Sequence, residues 1–134
     1  MGKNAHTPRT APRPTILVVD DDADMREAVA MVLRTHGWTV HAADGGRAGL
    51  VQLSRLSGPV LMLLDWHMPG MGGAEVLAQL PWRAGVLPLA VIVMAASSRV
   101  PAQGWPVLRK PFALDHLLDA VAMSLAEMVT ALAA

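Results

Sequence analysis

Apolar residues along this chain fall into short unbroken runs separated by stretches in which they recur at helical spacing. Ile16 to Val19 is continuous and mostly β-branched, a pattern that predicts a strand covered on both faces. Met25, Val29, Val32, Leu33 and His36 then recur at helical spacing until Gly37 offers a C-cap. Trp38 to Ala43 suits a second strand, and Asp44 is placed to cap a helix carrying Ala48, Leu50, Val51 and Leu53. Pro59 opens a third strand, Val60 to Leu64, which ends on Asp65. A loop rich in Gly and Met, Trp66 to Gly73, leads into a short helix, Ala74 to Leu80, with Glu75 near its positive end. Leu89 to Met94 reads as a fourth strand and Val107 to Leu108 as a short fifth. A long amphipathic helix closes the chain through Leu114, Leu117, Leu118, Val121, Leu125, Met128 and Leu132. Strands that alternate with helices imply a parallel sheet with helices on both faces.

The strand ends carry the chemistry. Asp20, Asp21 and Asp22 follow the first apolar run directly, and Asp65 ends the third. Ligands of parallel sheets bind in the crevice beyond the carboxyl ends of the strands, so two strands ending in Asp bring their carboxylates to one place. Carboxylates that close repel, and a hard cation with oxygen ligands is the usual remedy, Mg²⁺ above all. Other readings of the same residues are weaker. Asp20 to Asp22 could cap the first helix. A calcium loop starting at Asp20 requires Gly at its sixth position and Glu at its twelfth, where Met25 and Met31 stand. The histidines, His6, His36, His41, His67 and His116, lack paired ligand spacing and read as surface or boundary residues, and the nine methionines read as core filler.

Composition narrows the partners. A chain of 134 residues with 53% apolar content makes one domain, expected over residues 15–134. Residues 1–14, with three basic side chains and three prolines, read as a flexible arm. Eleven basic and eleven acidic residues cancel, which argues against a nucleic-acid footprint. No cysteine is present, so disulfides and thiolate chemistry are excluded. The longest apolar stretch, Val86 to Ala96, is broken by Pro88 and falls short of the roughly 20 residues of a membrane span. Without a signal-like segment, the expected location is the cytoplasm.

Four landmarks occur in order: Asp20-Asp21 after the first strand, Asp65 after the third, Ala95 after the fourth, and Lys110-Pro111-Phe112 after the fifth. In the words Val18-Val19-Asp20-Asp21-Asp22, Leu64-Asp65-Trp66-His67-Met68-Pro69-Gly70 and Arg109-Lys110-Pro111-Phe112, the chain resembles the receiver domain of bacterial response regulators, from Ile16 to about Leu125. The resemblance implies a flavodoxin-like, doubly wound, five-stranded parallel sheet. It also implies Mg²⁺-assisted phosphoryl transfer from a histidine kinase to Asp65, the carboxylate nucleophile. By the same resemblance Asp21 and Asp65 bind the metal directly, Asp20 acts through a bound water, and the backbone carbonyl of His67 completes the protein ligands. Lys110 reaches a phosphoryl oxygen as a point charge, and Pro111 marks a cis or tightly turned peptide.

The chain departs from the family at three points. Receivers usually carry Ser or Thr at the position of Ala95 and an aromatic residue at that of Val107, so both switch positions are degenerate, with Ser97 or Ser98 as lesser substitutes for the hydroxyl. Only residues 96–104 separate the fourth strand from Trp105, too few for an ordinary helical crossover, so the fourth helix is expected to be absent or reduced. Trp105 then covers the exposed sheet flank in preference to offering a partner contact. The resulting expectation is a stand-alone receiver without an output domain, not a turnover enzyme, that signals by contact with an unidentified downstream protein. The apolar tail of the last helix, Leu125, Met128, Val129 and Leu132, suits a homodimer or an ordinary surface helix. The alternative is a receiver-fold binding module independent of phosphorylation. A phosphohydrolase with an Asp nucleophile usually needs a second Asp where His67 stands.

Overall fold

A computed structural model of the chain describes residues 13–80, 88–96 and 104–133. Among the described residues five strands and four helices follow in order: β1 (Thr15–Val19), α1 (Ala23–Thr35), β2 (Thr39–Ala43), α2 (Gly46–Arg55), β3 (Val60–Asp65), α3 (Gly73–Gln79), β4 (Leu89–Ala95), β5 (Val107–Arg109) and α4 (Leu114–Ala133). All strand pairs are parallel, in the order β2-β1-β3-β4-β5. This is the parallel sheet that the alternation of patterns predicts, in the doubly wound, flavodoxin-like order that the resemblance implies.

Alternation along each strand divides the core in two. Ile16 and Val18 of β1 and Leu61 and Leu63 of β3 face α1 and α4, packing with Val29, Leu33, Leu117 and Val121. Leu17, Val19, Met62 and Leu64 face α2 and α3, packing with Leu50, Leu53 and Val76. Both faces are covered, so every residue of β3 is buried, which explains why its sequence shows no polar alternation. Among the methionines, Met62 and Met94 are fully buried, whereas Met31 and Met123 are exposed.

Local signals acted mostly as expected, with one correction. Asp22 caps α1 by accepting from the N–H groups of Asp24 (3.0 Å) and Met25 (3.2 Å), and Gly37 terminates it with φ +92°. Asp44 does not cap α2: the N-cap is Gly45, without a side-chain hydrogen bond. The chain enters α2 one residue beyond Asp44, and Gly46 at the helix start lies so close to the loop after β3 that a Cβ there would meet the Met71 carbonyl at 2.5 Å. Glu75 does serve the start of α3, accepting the Gly72 N–H at 2.8 Å.

No helix separates β4 from β5 among the described residues; residues 97–103, with Ser97 and Ser98, lie outside them. Trp105 is half-buried and packs against the core on the α2 and α3 side, as expected of a flank cover. The arm expected over residues 1–14 lies outside the described residues up to residue 12, as do His6 and the side chain of Leu132. In the tail of α4, Leu125 and Met128 are buried and Val129 is exposed. His36, His41, His67 and His116 are all exposed, as their spacing suggested. Among the described residues no helix is long and apolar enough to cross a membrane.

Candidate functional site

Register brings the strand ends together. Val19 pairs with Leu64, so Asp20, one residue further, stands beside Asp65. Asp65 pairs in turn with Met94, and Ala95 with Arg109, so Lys110 emerges at the same rim. Two further hydrogen bonds hold the departing chains to the sheet: Trp66 N–H to the Met94 carbonyl at 2.8 Å and Lys110 N–H to the Ala95 carbonyl at 2.7 Å. The Lys110–Pro111 peptide is cis, in keeping with the turned geometry expected there.

The three aspartates after β1 take different positions. Asp22 turns away to cap α1, as described above. Asp20 points into the crevice and is fully buried, whereas Asp21 lies at its exposed mouth. Asp20 Oδ1 accepts the Asp22 N–H at 2.9 Å, and Oδ2 accepts from Lys110 Nζ at 3.1 Å. The same ammonium donates to Asp65 Oδ1 at 3.2 Å, so a lysine from one strand end bridges two buried carboxylates from two others. Each of Asp20, Asp21 and Asp65 offers an oxygen within 4.8 Å of the others.

The electrostatics follow from this crowding. Burial pushes the Asp65 carboxyl up from 3.8 to about 7, and the charge of Asp20 adds to the effect, while Lys110 pulls against both. Burial alone would lower Lys110, but its hydrogen bond and attraction to Asp20, followed by those to Asp65, outweigh this and raise it. Three carboxylates around one ammonium leave surplus negative charge and an oxygen-only donor set, which suits a divalent hard cation. His67 is exposed in the loop that follows Asp65. That loop folds tightly against β3: the Gly73 N–H bonds the Trp66 carbonyl at 2.9 Å, and a Cβ on Gly73 would meet the Trp66 Cα at 2.9 Å.

At the two degenerate positions, the Ala95 methyl is buried on the α2 and α3 side at the end of β4, and Val107 begins β5 with 44% of its surface exposed. One contact escaped the sequence reading: the Arg26 guanidinium folds back from α1 to the Asp20 carbonyl, with Nη1 at 2.9 Å. The only signal for it was a basic residue in the first turn after an acidic strand end.

A family model described as the response regulator receiver domain matches residues 16–122. The response regulator MprA of Mycolicibacterium vanbaalenii is 39% identical over 108 residues, covering 77% of this chain and 46% of that protein. The probable transcriptional regulatory protein TcrX of Mycobacterium tuberculosis is 31% identical over 109 residues, covering 78% and 46% respectively. The chain thus spans about half the length of the curated relatives it matches. Among solved structures, a CheY-like receiver domain protein of Methanospirillum hungatei superimposes with a TM-score of 0.74 at 25% identity, over 87% of this chain and 98% of that one. The response regulator TrrA of Thermotoga maritima, in complex with Mg²⁺-BeF, gives a TM-score of 0.71 at 26% identity, over 84% and 98%.

Proposed function

The chain belongs to the response regulator receiver domain family, and from that premise we propose that Asp65 accepts a phosphoryl group from a histidine kinase in a site that takes Mg²⁺. The observation that carries this reading is the Lys110 ammonium shared by Asp20 and Asp65, with the exposed Asp21 beside them. Asp21 and Asp65 would hold the cation directly, Asp20 through a water, and His67 by its carbonyl. When bound, the cation neutralises charge on the phosphoryl oxygens and on the acidic cluster.

The residues of the chain divide the remaining work. An oxygen of Asp65 attacks phosphorus, the P–N bond of the phosphohistidine breaks, and its electron pair leaves on the imidazole nitrogen. The product is an acyl phosphate on Asp65. Lys110, already within reach of the nucleophile, exchanges its bond to Asp65 for one to a phosphoryl oxygen and keeps its bond to Asp20. Its charge is in place before the reaction, so little reorganisation is needed. On this reading the chain catalyses its own modification and does not turn over a substrate. It acts in the cytoplasm, and its output passes to a protein partner, a choice favoured by the balance of eleven basic and eleven acidic residues.

A second reading, a binding module independent of phosphate, is favoured by the methyl group at Ala95 and the aliphatic side chain at Val107, which lack the hydroxyl and ring of the usual switch. One experiment separates the two: intact mass after incubation with Mg²⁺ and acetyl phosphate, beside Asp65→Asn. An adduct of about 80 Da, the mass of a phosphoryl group on an aspartyl nucleophile, is expected in the wild type and absent in the variant. An adduct that persists in Asp65→Asn would sink the assignment of the acceptor. Mg²⁺ binding without any adduct would favour the second reading.

A further inference from the structure

Resting on the reading of Asp20, Asp21 and Asp65 as a cation site, we infer that Arg26 is a positioning residue for it, setting the direction of Asp21 through the backbone of Asp20. The ladder between β1 and its neighbours ends at Val19. The Asp20 N–H still finds the Ala43 carbonyl at 3.2 Å, but its own carbonyl lies beyond the last paired strand residue, in a fully buried position. That carbonyl needs a donor from elsewhere. Arg26 supplies it with Nη1 at 2.9 Å, reaching back six residues, while its backbone N–H bonds the Asp22 carbonyl at 2.9 Å. Arg26 therefore holds the turn at two points.

The consequence is local geometry. With its N–H on Ala43, its Oδ1 on the Asp22 N–H, its Oδ2 on Lys110 and its carbonyl on Arg26, Asp20 has every polar group engaged. The carbonyl held by Arg26 belongs to the peptide plane joining Asp20 to Asp21, and that plane sets where the Cα–Cβ bond of Asp21 points. Asp21 is exposed, so its carboxylate takes its direction from the backbone, not from packing. Fixing the plane keeps the Asp21 oxygen within 4.8 Å of those of Asp20 and Asp65 before any cation arrives.

Charge and positioning predict opposite signs for the loss of this side chain. A guanidinium beside a cation site repels the cation, so its removal should tighten binding if charge alone mattered. If the hydrogen bond to the Asp20 carbonyl matters, removal should weaken binding, by about tenfold on the scale typical of groups that orient metal ligands.

The test is Mg²⁺ titration of the full chain by calorimetry, at a temperature well below the melting transition measured in EDTA, for wild type, Arg26→Met and Arg26→Lys. Below that transition a purely stabilising role leaves the affinity unchanged. Arg26→Met is expected to bind about tenfold more weakly than wild type, and Arg26→Lys, which keeps one donor, to recover part of the loss. Equal or tighter binding by Arg26→Met overturns the inference, as does an Arg26→Lys variant no better than Arg26→Met. Should Arg26→Met fail to fold, Arg26→Gln takes its place with the same expectation. A wild type that binds no Mg²⁺ would remove the cation-site reading itself, whereas a binding wild type matched by its variant removes only the role of Arg26.

Discussion

Replacing Asp65 with asparagine should stabilise the cation-free protein above neutral pH while abolishing its capacity to accept phosphate. Asp65 is 5% exposed, and its carboxyl is pushed from 3.8 to about 7 by burial and by Asp20. Between those two values the folded state holds a proton that the unfolded chain has released, so stability falls as pH rises from about 4 to about 7 and then levels off. Below the lower value both states are protonated and the contribution is fully present. At about 1.4 kcal/mol per pH unit, the ceiling on this loss is about 4 kcal/mol. Asparagine carries no charge to desolvate, but it leaves Lys110 with one carboxylate in place of two, so the net gain at pH 8 should be about 1–3 kcal/mol. For a domain of this size that corresponds to a melting temperature higher by about 4–10 °C. Urea denaturation of both proteins in EDTA from pH 4.5 to 8.5 measures it, and the difference between them cancels the titration of groups common to both. The difference should be small at the acid end and grow in favour of the variant up to pH 7. A difference that does not change with pH, or a variant less stable than wild type at pH 8, would refute the reasoning. Added Mg²⁺ should reverse the order, since a ligand that binds the folded wild type stabilises it by mass action.

Two other perturbations test the frame around the acceptor. Lys110→Met removes the ammonium shared by Asp20 and Asp65 and should slow adduct formation with acetyl phosphate by about 10²-fold; a rate close to that of wild type would exclude the lysine from the reacting geometry. Gly46→Ala sets a Cβ against the Met71 carbonyl at 2.5 Å and Val76 Cγ2 at 2.9 Å, and it should cost about 1–3 kcal/mol in urea midpoint measurements. Gly45→Ala is the control, because a Cβ there meets nothing within 4 Å.

Much of the fold was legible because burial on both faces of a parallel sheet leaves a direct trace. The runs Ile16 to Val19 and Val60 to Leu64 had to be apolar throughout, and the helices between them had to show one apolar stripe. The weaker readings were those that depend on neighbours distant in the chain. Asp44 has the chemistry of a cap, yet α2 starts from Gly45, and its first residue, Gly46, packs against the loop after β3. Arg26 looked like any helix arginine, because nothing in its local sequence says that the carbonyl six residues earlier lacks a strand partner.

The sequence by itself determined which residue types end which strands: acids after β1 and β3, a methyl group in place of a hydroxyl after β4, a lysine followed by proline after β5. Only the tertiary structure decided how three consecutive aspartates divide among capping, burial and exposure, since that depends on how the chain turns out of β1. It also brought Lys110 to Asp20 and Asp65, residues 90 and 45 positions away, where the charge of Asp65 answers to burial and to its neighbours. The physical reason is that side-chain chemistry is written residue by residue, whereas distance, desolvation and repulsion arise only when parallel register aligns the strand ends.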